Sequence, residues 1–132
     1  MQSISQFMIE DHSKCDQLYA DGEALLLKGS VEAGRNKLNL FVAETQQHFD
    51  REEKVLFPAF EQATGMTQGP TMVMRAEHTQ MNAVMDQIQE SLQQGDTDTA
   101  LAAGETLLLL MQQHNMKEEG MLYPMTDQHL GR

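Results

Sequence analysis

Tryptophan is absent from this chain, phenylalanine and tyrosine together make up only 5% of its 132 residues, and the three prolines stand at 58, 70 and 124. Strand-rich domains usually draw on more aromatic and β-branched residues than this, so the composition favours helices. A single cysteine, Cys15, excludes an internal disulfide. Basic residues are scarce, 9 against 20 acidic, and the net charge of -11 repels polyanions, which excludes nucleic acid and acidic membrane surfaces as partners. The longest apolar run, Leu107 to Met111, is far short of the roughly 20 residues that a membrane span needs. Residues 1–10 lack the charged start and apolar run of a secretion signal, so a soluble, cytoplasmic protein is expected. No nucleophile triad or nucleotide-binding loop is evident, and the length suits one domain over residues 1–132.

What the chain has is helical periodicity and eleven methionines, whose flexible side chains fill cores well. Ile4, Phe7, Met8, His12, Cys15, Leu18, Tyr19, Leu25 and Leu26 recur at helical spacing and stop at Lys28-Gly29; Gly22 interrupts the pattern. A second helix, capped by Ser30, carries Leu38, Phe41, Thr45, His48, Glu52 and Leu56 on one face until Pro58 ends or kinks it. After Thr64-Gly65 and Gly69-Pro70, a third presents Met74, His78, Met81, Met85, Ile88 and Leu92, closed by Gly95. Asp96 or Asp98 caps a fourth, with Leu107, Met111, His114, Glu118, Leu122 and Met125 inward and Pro124 near its end. Four such helices joined by short loops predict an all-α, antiparallel up-down-up-down four-helix bundle.

Shifting the chain by 66 residues superimposes Met8 on Met74, His12 on His78, Leu26 on Leu92 and Gly29 on Gly95. The same shift lays Gln46, Gln47, His48, Glu52, Glu53, Leu56 and Pro58 on Gln112, Gln113, His114, Glu118, Glu119, Leu122 and Pro124. Four of the five histidines thus form two pairs. We read two helical hairpins related by a pseudo-twofold, each supplying the same polar groups to a shared centre.

In the second and fourth helices histidine precedes glutamate by four residues, so each pair lies on one face about 6 Å apart along the axis. His12 and His78 occupy the matching stripes of the first and third. Four imidazoles and two carboxylates on inward faces cost several kcal/mol per charge unless something compensates them. Mixed nitrogen and oxygen donors fit iron, manganese, zinc or copper better than calcium or magnesium. Two carboxylates able to bridge, with two histidines on each side, suit a pair of metals about 3.5–4 Å apart.

At these residues the chain resembles the hemerythrin-like, or HHE cation-binding, domain family over nearly its full length. The resemblance rests on His12, on His48-Phe-Asp-Arg-Glu52-Glu, on Glu77-His78 and on His114-Asn-Met-Lys-Glu118-Glu, with Leu-Phe-Pro and Leu-Tyr-Pro after the two pairs. It implies that His12, His48, His78 and His114 are terminal ligands of two iron ions, that Glu52 and Glu118 bridge them, and that an oxo or hydroxo group is the third bridge. Oxygen-carrying hemerythrins have a fifth histidine where this chain has Met74. Five ligands per iron then leave an open position on both metals, which argues against simple oxygen carriage. The implied role is binding of O2, NO or peroxide in sensing, storage or detoxification. A donor of iron for the repair of iron–sulfur clusters, or a peroxidase- or catalase-like enzyme, is the alternative.

Around these six, Cys15 reads as a small buried hydrophobe and Tyr19 as core filling. Tyr123 shares the motif place of Phe57, so no role is expected for its hydroxyl. Glu53 and Glu119 point about 100° from their neighbours and are expected in solvent or bonded to Arg51 and Lys117. Asp11 and Glu77, which could orient imidazoles, are expected to be solvated. His129 has no counterpart in the repeat and stays outside the site, while the methionines at 74, 81, 85, 111, 121 and 125 are expected in the core.

Overall fold

The computed structural model describes residues 2–130, which form helices joined by short turns and contain no strand. Six α-helices run α1 (Ile4–Leu27), α2 (Val31–Arg51), α3 (Phe57–Thr64), α4 (Pro70–Gln93), α5 (Thr97–Lys117) and α6 (Tyr123–Leu130). A π-helical segment, Glu52–Leu56, joins α2 to α3, and a second, Glu118–Leu122, joins α5 to α6. Every element of the second half begins and ends 66 residues after its counterpart in the first. The chain therefore folds as four rods in an all-α four-helix bundle. Within it α1 packs on α2 and α4 on α5, and the two hairpins meet where α2 faces α4 and where α6 lies on α1 and α3.

The rods do not stop at their prolines. In each, a wider turn comes first: Phe57 N–H donates to the Glu52 carbonyl and Tyr123 N–H to that of Glu118, five residues back. Pro58 and Pro124 then fall in the first turn of α3 and α6, where a missing donor costs little. The helix continues to Thr64 or Leu130 instead of ending near the proline.

The turns that close the hairpins are also duplicated. Gly29 (φ 89°) and Gly95 (φ 78°) adopt the left-handed conformation, and the residues after them, Ser30 and Asp96, donate to Leu25 and Ser91 carbonyls at 2.9 and 2.8 Å. Asp96 caps α5 by accepting from Thr99 N–H at 3.1 Å, whereas the Ser30 side chain makes no such bond. Gly22 is required by packing: a Cβ there would lie 2.7 Å from the Leu38 side chain, so glycine lets α1 and α2 approach.

Buried apolar side chains fall into two clusters. One is built around Tyr19, Leu38, Phe41, Phe49, Met81, Met85 and Leu107, the other around Met8, Phe57, Phe60, Met74, Leu122 and Tyr123. The histidines and glutamates form a polar layer between them. Met74, Met81, Met85 and Met111 are buried as expected, but Met121 is exposed and Met125 only half-buried. Among the described residues no helix is long and apolar enough to cross a membrane.

Candidate metal centre

All six inward residues meet in the polar layer, and all six are buried, Glu52, His78 and Glu118 completely. His48 and Glu52 lie one turn apart at the junction of α2 with its π segment; His114 and Glu118 occupy the same junction on α5. His12 comes from α1 and His78 from α4. Glu52 lies 3.6 Å from His48 Nε2 and 3.0 Å from His78 Nε2; Glu118 lies 3.0 Å from His12 Nε2 and 3.2 Å from His114 Nε2. Each glutamate thus touches one histidine of each hairpin. Donor atoms of Glu52, His78, His114 and Glu118 fall within 4.8 Å of one another, as do those of His12, His48 and Glu118, so each half could hold a cation.

The outer nitrogens are held just as regularly. Nδ1 of His48 lies 2.7 Å from Asp11 and that of His114 lies 2.8 Å from Glu77; Nδ1 of His12 lies 2.7 Å from Glu119 and that of His78 lies 2.6 Å from Glu53. An Nδ1–H donating outward turns the Nε2 lone pair inward, the orientation a metal-binding imidazole needs. These four carboxylates correct the expectation of solvated acids. Arg51 and Lys117 bond Asp11 and Glu77 instead of Glu53 and Glu119. The contacts cross between helices, which spacing along one helix does not reveal. The signal that could have found them was the repeat, which keeps an acid at 11 and 77 and at 53 and 119.

Charge in the layer is strongly biased. Burial disfavours the His48 imidazolium, but the Asp11 and Glu52 carboxylates outweigh it and push the pKa up to about 10. Burial also penalises Glu52, yet its bonds with Glu118, His48 and His78 hold it well below the usual carboxylate range. Asp11 is lowered by its hydrogen bond to His48 and stays ionised as acceptor. Substituting Asp11→Asn or Glu77→Gln is expected to weaken metal binding roughly 10- to 100-fold, as loss of a carboxylate behind a ligand histidine does elsewhere. Competition against a chelator measures it, and unchanged affinity would show that the outer bond has no role.

The two halves differ in one respect the repeat does not announce. Tyr123 is fully buried, and its hydroxyl lies 3.0 Å from His12 Nε2, 3.3 Å from His48 Nε2, 2.7 Å from Glu52 Oε2 and 2.8 Å from Glu118 Oε1. Its hydroxyl, for which no role was expected, is therefore at the centre of one half. Burial and the Glu118 and Glu52 carboxylates push its pKa far up, so it is a neutral donor. In the opposite half, Phe49 stacks on His78 with ring centres 3.8 Å apart, and Phe57 lies 5.8 Å away. There His78 Nε2, His114 Nε2, Glu52 Oε1 and Glu118 Oε2 are buried and make no aligned hydrogen bond, although His78 Nε2 and Glu52 Oε1 lie 3.0 Å apart.

Outside the centre, Cys15 is buried beside Thr45, with burial pushing its thiol up to about 11, which fits an inert core residue. The Tyr19 hydroxyl reaches Glu23 at 3.4 Å, and His129 packs against Phe60, away from the cluster.

Unpartnered buried nitrogen and carboxylate oxygen atoms facing one point are the donor set of a transition-metal site, so the residues present fit a metal. The family model of the hemerythrin HHE cation-binding domain matches residues 3–126, and the chain belongs to that family. Such a domain binds a cation, and the buried histidine and glutamate cluster fits that role. Comparison with curated proteins and with solved structures gives no significant match.

Proposed function

We propose that the chain is a non-haem di-iron protein that binds O2 or NO, serving in sensing, storage or detoxification in the cytoplasm, with residues 1–132 acting as one domain. In this reading His12, His48, His78 and His114 are terminal ligands, Glu52 and Glu118 bridge the two irons, and an oxo or hydroxo group completes the bridge. The observation that carries it is the pairing of imidazoles around two shared carboxylates, with four of the inward atoms lacking a partner. When bound, an iron pair supplies Lewis acidity and redox chemistry at small-molecule positions. The chain does the rest. Outer carboxylates at Asp11, Glu53, Glu77 and Glu119 aim the imidazoles, while the buried rings of Phe49 and Phe57 cover His78.

Protein loaded anaerobically with ferrous iron is expected to hold about two irons per chain and, once oxidised in air, to show an oxo-to-iron absorption band. One metal per chain, or retention of zinc alone, would overturn the reading. Mixing the diferrous protein with O2, NO or peroxide then separates the roles. A reversible adduct supports binding; catalytic consumption of the added molecule would make the protein an enzyme; transfer of iron to an apo cluster protein would make it a repair donor.

A further inference from the structure

The ligand residues and the carboxylates behind them obey the 66-residue repeat, but the groups that meet their inner atoms do not. The four atoms that Tyr123 Oη contacts, His12 Nε2, His48 Nε2, Glu52 Oε2 and Glu118 Oε1, belong to one half of the centre. Four buried atoms that make no hydrogen bond, His78 Nε2, His114 Nε2, Glu52 Oε1 and Glu118 Oε2, belong to the opposite half and include the second oxygens of the same two carboxylates. The counterpart of Tyr123 is Phe57, which is fully buried and carries no hydroxyl. Symmetric ligands therefore sit in an asymmetric shell: one half is closed by a phenol, the other is lined by aromatic carbon.

The opposite half also borders a surface cleft. A cleft of about 270 Å³ is lined by Gln46, Phe49, Asp50, Glu53 and Asn82. Two of these residues touch His78 directly: Glu53 bonds its Nδ1 and Phe49 stacks on its ring.

We propose that Tyr123 closes the His12/His48 half to external ligands, so that a small neutral molecule such as NO or O2 binds at the His78/His114 half alone. Tyr123 is then a specificity-determining residue. Its hydroxyl stands at the point shared by both carboxylates and both imidazoles of its half, and beside a metal held there it would fill the position an incoming ligand needs. The aromatic lining by Phe49 and Phe57 leaves the other half free of competing donors and favours an uncharged guest.

This inference rests on the di-iron reading, and the test separates the two. Iron is loaded anaerobically, counted, and titrated with NO while uptake is followed by infrared and electron paramagnetic resonance spectroscopy. Wild-type protein is expected to take up about one NO per pair of irons and Tyr123→Phe about two, a twofold rise. Phe57→Tyr is expected to take up almost none, and the exchange of both residues restores about one. Mössbauer spectra of the diferrous wild type are expected to show two doublets of equal area that approach one another in Tyr123→Phe, a readout that needs no Phe57 variant if that one fails to fold. Fewer than two irons per chain would overturn the di-iron reading and this inference with it. Two irons with about two NO per pair in the wild type, or an unchanged stoichiometry in Tyr123→Phe, would overturn this inference alone.

Discussion

Stripping the metals with a chelator is expected to lower the melting temperature by about 15 °C. A ligand that binds only the folded chain, present at roughly a thousand times its dissociation constant, stabilises by about 4 kcal/mol. For a domain of this size each kcal/mol moves the midpoint by about 4 °C. The structure gives a reason for so large a dependence. The polar layer between the two apolar clusters holds six buried ligand-type side chains, and the atoms left without partners cost about 1 to 3 kcal/mol each. The pH dependence follows from His48. In the metal-free chain its pKa is raised from 6.5 to about 10, so the stability it contributes is fully present below 6.5 and is lost as pH rises toward 10. Metal binding runs the other way, because it requires the deprotonated imidazole and tightens with pH. The gap between loaded and stripped protein should therefore widen from pH 6.5 upward. Scanning calorimetry with and without chelator measures it, and superimposable curves would show that no buried site depends on a metal.

The helical skeleton was legible because one periodicity served two halves. Apolar spacing placed the rods, glycines at 29 and 95 placed the hairpin turns, and the 66-residue offset recurs at every observed boundary. The π segments were not legible. They arise where Glu52 and Glu118 must face inward while Pro58 and Pro124 remove a donor six residues on, a conflict resolved by the backbone and not announced by side-chain pattern. The six inward residues were readable because polar groups on an apolar stripe are conspicuous. The carboxylates behind them were not, since Glu53 and Glu119 look like surface residues of their own helix and meet His78 and His12 only across the hairpin interface. Tyr123 was hidden for the opposite reason: exchange for phenylalanine at the matching position looks neutral for packing, and only its position at 2.7–3.3 Å from four donor atoms shows what the hydroxyl does.

The sharpest loss of metal is expected from Glu52→Gln. Glu52 joins His48 of its own rod to His78 of the other hairpin, as Glu118 joins His114 to His12, so one carboxylate serves both halves. A neutral amide keeps the volume and can still accept from Tyr123, but it offers a poor donor in place of a charged bridging oxygen. In the di-iron reading both metal positions then lose a ligand at once. Metal content is expected to fall from about two to below one per chain, with affinity down at least about 100-fold, or about 2.7 kcal/mol. Glu61→Gln is the matched control. Glu61 is also held ionised, by Arg75 and Thr71, but lies on α3 away from the layer, so its loss should leave metal content at the wild-type value. Metal analysis of both variants after identical loading decides the matter. If Glu52→Gln retained two metals at wild-type affinity, the carboxylate would be a packing partner of the histidines, and the centre would have to be built from the imidazoles and Glu118.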